Sequence, residues 1–319
     1  MTTEDRYRAF ADHEAKGSSP AYEALTRAIA DSPALIGLLD ELPQGKRQPN
    51  LLLAAARMCG APIDDPPGFI DAVLREWERI SMVMVDRSTQ TNEAARTATF
   101  LPILAQMPGP VALIEVGCSA GLCLYPDRYG IDYDGAGPLV ADSLVRIDVA
   151  TTGPVPMPER LPEVVARIGI DLNPLDVANP DARTWLEALV WPEHSERLAR
   201  LRAAMKLVAQ DPPTLLAGDL VDALGEALGL VPAGATPVVF HSAVLNYVGR
   251  SDRRRFAERI AAHPEVWWIS NEGPGVLDDV ETDMGVPDGA SSAAHFLVVL
   301  GGRDLVAISD PHGSWIRWA

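Results

Sequence analysis

The sequence predicts an α/β protein: a doubly wound, mostly parallel seven-stranded sheet preceded by an all-helical region. Three observations carry this. Up to Pro108-Gly109-Pro110 the apolar residues recur at three-to-four spacing and no strand signal appears. Beyond that breaker, five short apolar runs alternate with helix-like or loop-like stretches, the pattern of βαβ units and a parallel sheet. The chain then shows two further runs around Gly301-Gly302-Arg303, a hairpin signal that adds antiparallel members. The expected division is a helical cap region at 1–108 and an α/β domain at 109–319.

Within the first region, PAYEALTRAIADSPALIGLLDEL carries Ser/Pro helix starts, QPNLLLAAARMCG reads as a short helix, and PPGFIDAVLREWERISMVMV and TNEAARTATFLPILAQM follow. VALIEV (111–116) is apolar without alternation, as a strand buried on both faces requires. Residues 125–163 are rich in Gly, Pro and Asp, alternate only in YGIDY and LVRIDV, and read as an inserted hairpin or loop. VVARIGIDL (164–172) is the second strand. DARTWLEALVWPEHSERLARLRAAMKLVAQ supplies one or two helices, broken near Trp191-Pro192. TLLAGDL, PVVFHSAV and VWWISNE give three more strands, and HFLVVL with DLVAIS forms the hairpin.

Composition narrows the function. A net charge of −17 argues against a nucleic-acid backbone or an anionic membrane surface as partner; a small-molecule substrate is the expectation, though no residue pattern specifies protein, lipid or metabolite. Cys59, Cys118 and Cys123 are too few for a disulfide framework, lack metal-ligand spacing, and suit a reducing compartment. The polar start and the lack of a long apolar run give a cytoplasmic expectation, with no metal. Nothing in the sequence sets an oligomeric state.

In parallel sheets ligands bind beyond the carboxyl ends of the strands, where strand order reverses. Gly117, Cys118, Ser119 and Gly121 follow the first strand, and small residues there let a backbone approach a ligand closely. Glu115, Asp171 and Asp219 end the first three strands, so all three carboxylates are expected on one rim. Leu172 and Leu220 stand beside the last two. An Asx-turn or helix cap accounts for any one of these acids. His241 ends the fourth strand, followed by Asn246 and Tyr247, and Glu272 ends the fifth; these four are the candidate catalytic residues, with His241 as general base. Asn92 and Arg96 share a helical face and are expected to cap the rim. Gly117-Cys-Ser119-Ala-Gly121 also has the spacing of a hydrolase nucleophile elbow, with Ser119 as nucleophile and a late histidine such as His312.

EVGCSAG, GIDLNP, AGDL, VVFHSAVLNY and the final hairpin resemble the successive motifs of class I S-adenosylmethionine-dependent methyltransferases, over about 110–319. Over the whole chain, QTNEAAR, GCSAGL, DRYGIDY, RIGIDLNPLD, ALVWPE and HSAVLNY resemble the bacterial domain-of-unknown-function 2332 family. The first resemblance implies a Rossmann-like fold with S-adenosylmethionine as cofactor. Glu115, Gly117, Ser119 and Gly121 would then surround its methionine part, Asp171 would take the ribose hydroxyls, and Asp219 with Leu220 would meet the adenine. Two departures stand out: Ser119 replaces the middle glycine of the turn, and about 50 residues separate Gly121 from Asp171, where about 20 is usual. The expected function is methyl transfer to a small molecule. The alternatives are a non-catalytic nucleoside-binding or partner-binding protein and a serine hydrolase.

Overall fold

The structure is a computed structural model and describes residues 1–278, 280, 282–290 and 294–319. The chain divides into two compact units, residues 1–91 with 178–202, and residues 92–177 with 203–319. The boundary thus falls at 91 and not at 108, and the helical unit recruits a segment from the middle of the chain. Among the described residues no helix is long and apolar enough to cross a membrane.

The first unit contains α1 (Thr3–Phe10), α2 (Pro20–Ala30), α3 (Pro33–Asp40), α4 (Pro49–Met58), α5 (Pro66–Arg75), α6 (Trp77–Asp86) and α8 (Pro180–Ala188); the division falls within α9 (Ser195–Val208). Its helix starts follow the Ser/Pro signals. Ser19 and Ser32 cap α2 and α3 by accepting an amide three residues on, with proline in the first turn. The recruited segment is tied in by Trp191, which packs on Phe10 and Tyr22, and by Glu193, which accepts from the Ser19 hydroxyl and the Ala21 amide.

The second unit holds α7 (Thr97–Leu104), α10 (Leu224–Gly229), α11 (Arg250–Ala261) and ten strands. The strands are β1 (Pro110–Val116), β2 (Gly130–Tyr133), β3 (Arg146–Thr152), β4 (Glu163–Asp171), β5 (Thr214–Ala217), β6 (Thr236–Ser242), β7 (Trp267–Glu272), β8 (Phe296–Leu300), β9 (Asp304–Ser309) and β10 (Trp315–Trp318). Their order is β2-β3-β10-β9-β8-β7-β6-β1-β4-β5. The expectation of a seven-stranded Rossmann-like sheet is therefore overturned: the sheet is mixed and has ten strands. The central strands β5, β4, β1, β6 and β7 run parallel, as the apolar runs imply. The hairpin forms as β8 and β9, antiparallel to each other and to β7.

The three added strands come from stretches read otherwise. Residues 125–163 are not a hairpin: β2 and β3 lie parallel to each other, and β3 joins the sheet through β10. The alternation in β3 is real, with Ile147 and Val149 buried between exposed neighbours. The Gly153 turn permits the join. Gly153 has φ +83°, and a Cβ there would overlap the Trp318 carbonyl.

Side-chain alternation sets the two faces of the central strands. Ile114, Val116, Ile168, Ile170 and Val239 pack with Leu224 and Ala227 of α10 and Phe256 and Ile260 of α11. Phe240 points to the other face and meets Phe100 of α7, ring centroids 5.0 Å apart. Glu115 pairs in register with Gly169 and Phe240, so it shares that second face.

Gly153→Ala is expected to destabilise the protein by about 1–3 kcal/mol, because it adds both a left-handed strain and a clash with the chain at Trp318. Urea unfolding measures this, and an unchanged midpoint would show that the β3–β10 join does not matter to stability.

Candidate functional site

The strand order reverses between β1 and β6: from β1 the chain adds β4 and β5 on one side, then β6 and β7 on the other. The carboxyl ends there carry the Gly117 turn, the Ser242–Val244 turn and the loops after β4 and β7. Two residues at this edge hold left-handed backbone without being glycine, Ser119 at φ +50° and Ala243 at φ +58°. Such conformations cost of order 1–3 kcal/mol and cluster where surrounding structure overrides local preference.

The three acids all reach the rim, in three environments. Asp171 is half-buried and accepts from the Ser119 amide (2.8 Å) through one oxygen and the Asn173 amide (2.8 Å) through the other. It thereby fixes the small-residue turn from the neighbouring strand. Asp219 is exposed and accepts from the Val221 amide at 2.8 Å, an ordinary Asx-turn. Glu115 is 7% exposed, and its Oε2 has no hydrogen-bond partner. Burial pushes its pKa well above the usual carboxyl value. Cys123 and Arg96 nearby favour the ionised form, while Asp171 opposes it. The thiols of Cys118 and Cys123 are also pushed up by burial and by Glu115, so they are poor nucleophiles.

The small turn is tightly filled. A Cβ at Gly117 would overlap the Val244 side chain, so Val244 sits in the space that glycine leaves. A Cβ at Gly169 would meet the Cys118 thiol, which is tucked against the neighbouring strand. Gly121, at φ +68°, ends the turn. Ser119 is buried, and its hydroxyl oxygen accepts from Asn92 Nδ2 at 2.8 Å while Asn92 Oδ1 accepts from the Ala120 amide. Among the described residues no imidazole hydrogen-bonds Ser119; its hydroxyl partner is Asn92.

Asn92 thus lies against the turn after β1, and Arg96 of the same segment reaches the end of β6. Arg96 is 6% exposed and donates from Nε to the Pro311 carbonyl (2.8 Å) and from Nη1 to the Ser242 carbonyl (3.2 Å).

His241 departs from its expected role. The strand runs one residue further, to Ser242, so the imidazole stays inside the sheet under α11 and is fully buried. Its Nε2 receives the Trp268 indole N–H at 3.0 Å, which only a lone pair can do. The proton is then on Nδ1, which donates to Glu272 Oε1 at 2.8 Å. Both nitrogens are engaged, so His241 is a support and not a general base. The same Glu272 oxygen accepts from the Val244 (2.8 Å) and Leu245 (3.0 Å) amides. Burial opposes ionisation of Glu272, but these donors prevail and its pKa lies below the usual carboxyl value. Glu272 is thus also structural. Asn246 is exposed and Tyr247 is 86% exposed, on the short turn that Glu272 holds. Leu172 is 79% exposed beside Asp171, whereas Leu220 is packed into the core. His312 is exposed after β9.

Sequence reasoning missed Trp268 and Asn271. Asn271 donates to the Ser242 hydroxyl oxygen and accepts from Ser309. The signal was present in Ser270-Asn271-Glu272: three polar residues continuing an apolar strand, all buried.

Two carboxyl groups give opposite acid dependences. Glu272→Ala is expected to cost about 3–5 kcal/mol at neutral pH. In the parent, the Glu272 contribution is present above the unfolded carboxyl value and is lost as pH falls through its lowered folded value. Glu115 works the other way, since its raised folded value makes stability fall as pH climbs above the unfolded one. Glu115→Gln should raise the melting temperature at pH 8 and leave it nearly unchanged at pH 4. Calorimetric melts across that range check both signs.

A family model described as "Uncharacterized protein conserved in bacteria (DUF2332)" matches residues 4–67 and 64–318. No curated protein matches the chain. The match spans nearly the whole sequence, both units included, and the chain belongs to the DUF2332 family of proteins conserved in bacteria.

Proposed function

We propose that the protein binds S-adenosylmethionine at the carboxyl ends of β1 and β4 and serves as a methyltransferase for a small molecule. One observation carries the reading: Glu115 places a buried carboxyl oxygen, without a partner, at the end of β1 just before the Gly117 turn. Such an oxygen suits the ammonium group of an amino-acid ligand, which would also draw the carboxyl into its ionised form. The other residues fit. Asp171 stands at the carboxyl end of β4 beside the Ser119 turn, the rim position from which a carboxylate meets a ribose. Leu172 offers an exposed apolar side chain beside it for a base. Gly117 has a bare Cα, but Val244 must withdraw from it, so binding is coupled to movement of the 243–247 turn.

When bound, the cofactor supplies an electrophilic methyl group. The chain's own part is to hold and orient the reactants and to exclude water. Because His241 is engaged at both nitrogens, the reading favours nucleophiles that need no proton removed by it. That same engagement favours a second reading, a ligand-binding protein without catalysis.

Calorimetry with S-adenosylmethionine and S-adenosylhomocysteine tests the proposal. Micromolar binding is expected, about 8 kcal/mol, weakened at least tenfold in Asp171→Ala and in Gly117→Val. Absence of heat and of any thermal shift with both compounds, on folded protein, removes the reading. Binding without turnover on any substrate panel selects the non-catalytic form.

A further inference from the structure

Arg96 is a buried cation whose hydrogen bonds go to neutral carbonyls. Its guanidinium uses two N–H groups, one on Pro311 and one on Ser242, out of the five that arginine carries. No carboxylate among the described residues forms an ion pair with it. Glu115 lies close enough to feel its charge, and burial favours the neutral form of that carboxyl. A buried charge without an ionised partner is expensive, so buried arginines are normally paired.

Its position is nonetheless set by three separate stretches of chain. The 92–96 segment delivers it, the end of β6 receives Nη1, and the turn after β9 receives Nε. Gly313, at φ +81°, allows that turn to lie directly on the Ala95 carbonyl, where a Cβ would overlap. Beside the guanidinium stands Ser242. Its oxygen accepts from Asn271 Nδ2 (3.1 Å), and Asn271 in turn accepts from the buried Ser309 hydroxyl (2.9 Å). This direction leaves the Ser242 O–H as a donor at the half-buried end of β6.

We propose that Arg96 and Ser242 form a carboxylate-binding subsite at the β1/β6 reversal, so that the ligand or substrate of this protein carries a carboxylate. A fork of N–H groups and one hydroxyl match the two oxygens of a carboxylate, and an anion there supplies the counter-charge that the chain withholds. The inference rests on the placement of Arg96 and not on the nucleoside reading.

The test uses the full-length chain and probes that contain no nucleoside: acetate, succinate and benzoate as sodium salts, inorganic phosphate, and chloride at matched ionic strength. Saturable binding of at least one carboxylate is expected by calorimetry and thermal shift. It should weaken tenfold or more in Arg96→Lys, which keeps the charge but loses the fork, and severalfold in Ser242→Ala. Substituting the exposed Arg254 by lysine should change nothing. If Arg96→Lys does not fold, Ser242→Ala and the parent decide the matter. The proposal is overturned by no saturable carboxylate binding to the parent, by binding of phosphate alone, or by unchanged affinity in the folded variants. Adenosine binding without carboxylate binding would leave the nucleoside reading standing and remove this one; the converse result would do the reverse.

Discussion

One oxygen of Glu272 organises the rim. It accepts three N–H groups, from His241 and from the Val244 and Leu245 amides, and so joins the end of β7 to the end of β6 and to the turn beyond it. The consequences follow in order. The His241 proton is fixed on Nδ1, which frees Nε2 to receive Trp268. Ala243 is held in a left-handed conformation that its side chain disfavours. Val244 is carried onto the bare Cα of Gly117. A charge-assisted acceptor in a dry place is strong enough to impose all of this, because each donor would otherwise be buried without a partner.

Polar networks occupy both faces of the same strand ends. On the α11 side lie Trp268, His241 and Glu272; on the α7 side lie Ser309, Asn271 and Ser242. The alternation of β6 and β7 produces this separation: His241 and Ser242 are adjacent in sequence and point to opposite faces. The first network engages both nitrogens of His241 and leaves Glu272 Oε2 buried without a hydrogen-bond partner. The second ends on a hydroxyl and an arginine at the rim, which is why the two carry different functional weight.

Much of the frame was legible. β1 and β6 are apolar because side chains of both their faces are buried, α11 packing on one side and α7 on the other, and the Gly301-Gly302-Arg303 turn announces its hairpin. The remaining strands are short, and their partners are remote. WIRW of β10 is only four residues, and nothing near β2 or β3 indicates that they pair in parallel with each other and reach the sheet through it. At the rim, the positions of the acids were readable but their partners were not. Asp171 serves the Ser119 amide across strands, Asp219 serves its own turn, and Glu115 keeps a buried oxygen without a hydrogen-bond partner. His241 was misassigned because an apolar run does not mark where its strand stops, and one further residue of strand buries the ring. Arg96 and Asn92 were found on the correct edge from a helical spacing that the structure replaces with a tight turn before α7.

The placement of β10 bears on how the protein is made. Lying between β9 and β3, it joins β2 and β3 to the other described strands of the sheet, yet it comes after all of them in sequence. During synthesis the 125–163 segment emerges well before the partner it must pair with. Until then β3 presents an unpaired edge of alternating apolar residues, which is the surface on which chains add to one another. Sheet closure is therefore a long-range event that pays its loop entropy all at once, and the protein is exposed to misassociation until β10 has joined β3.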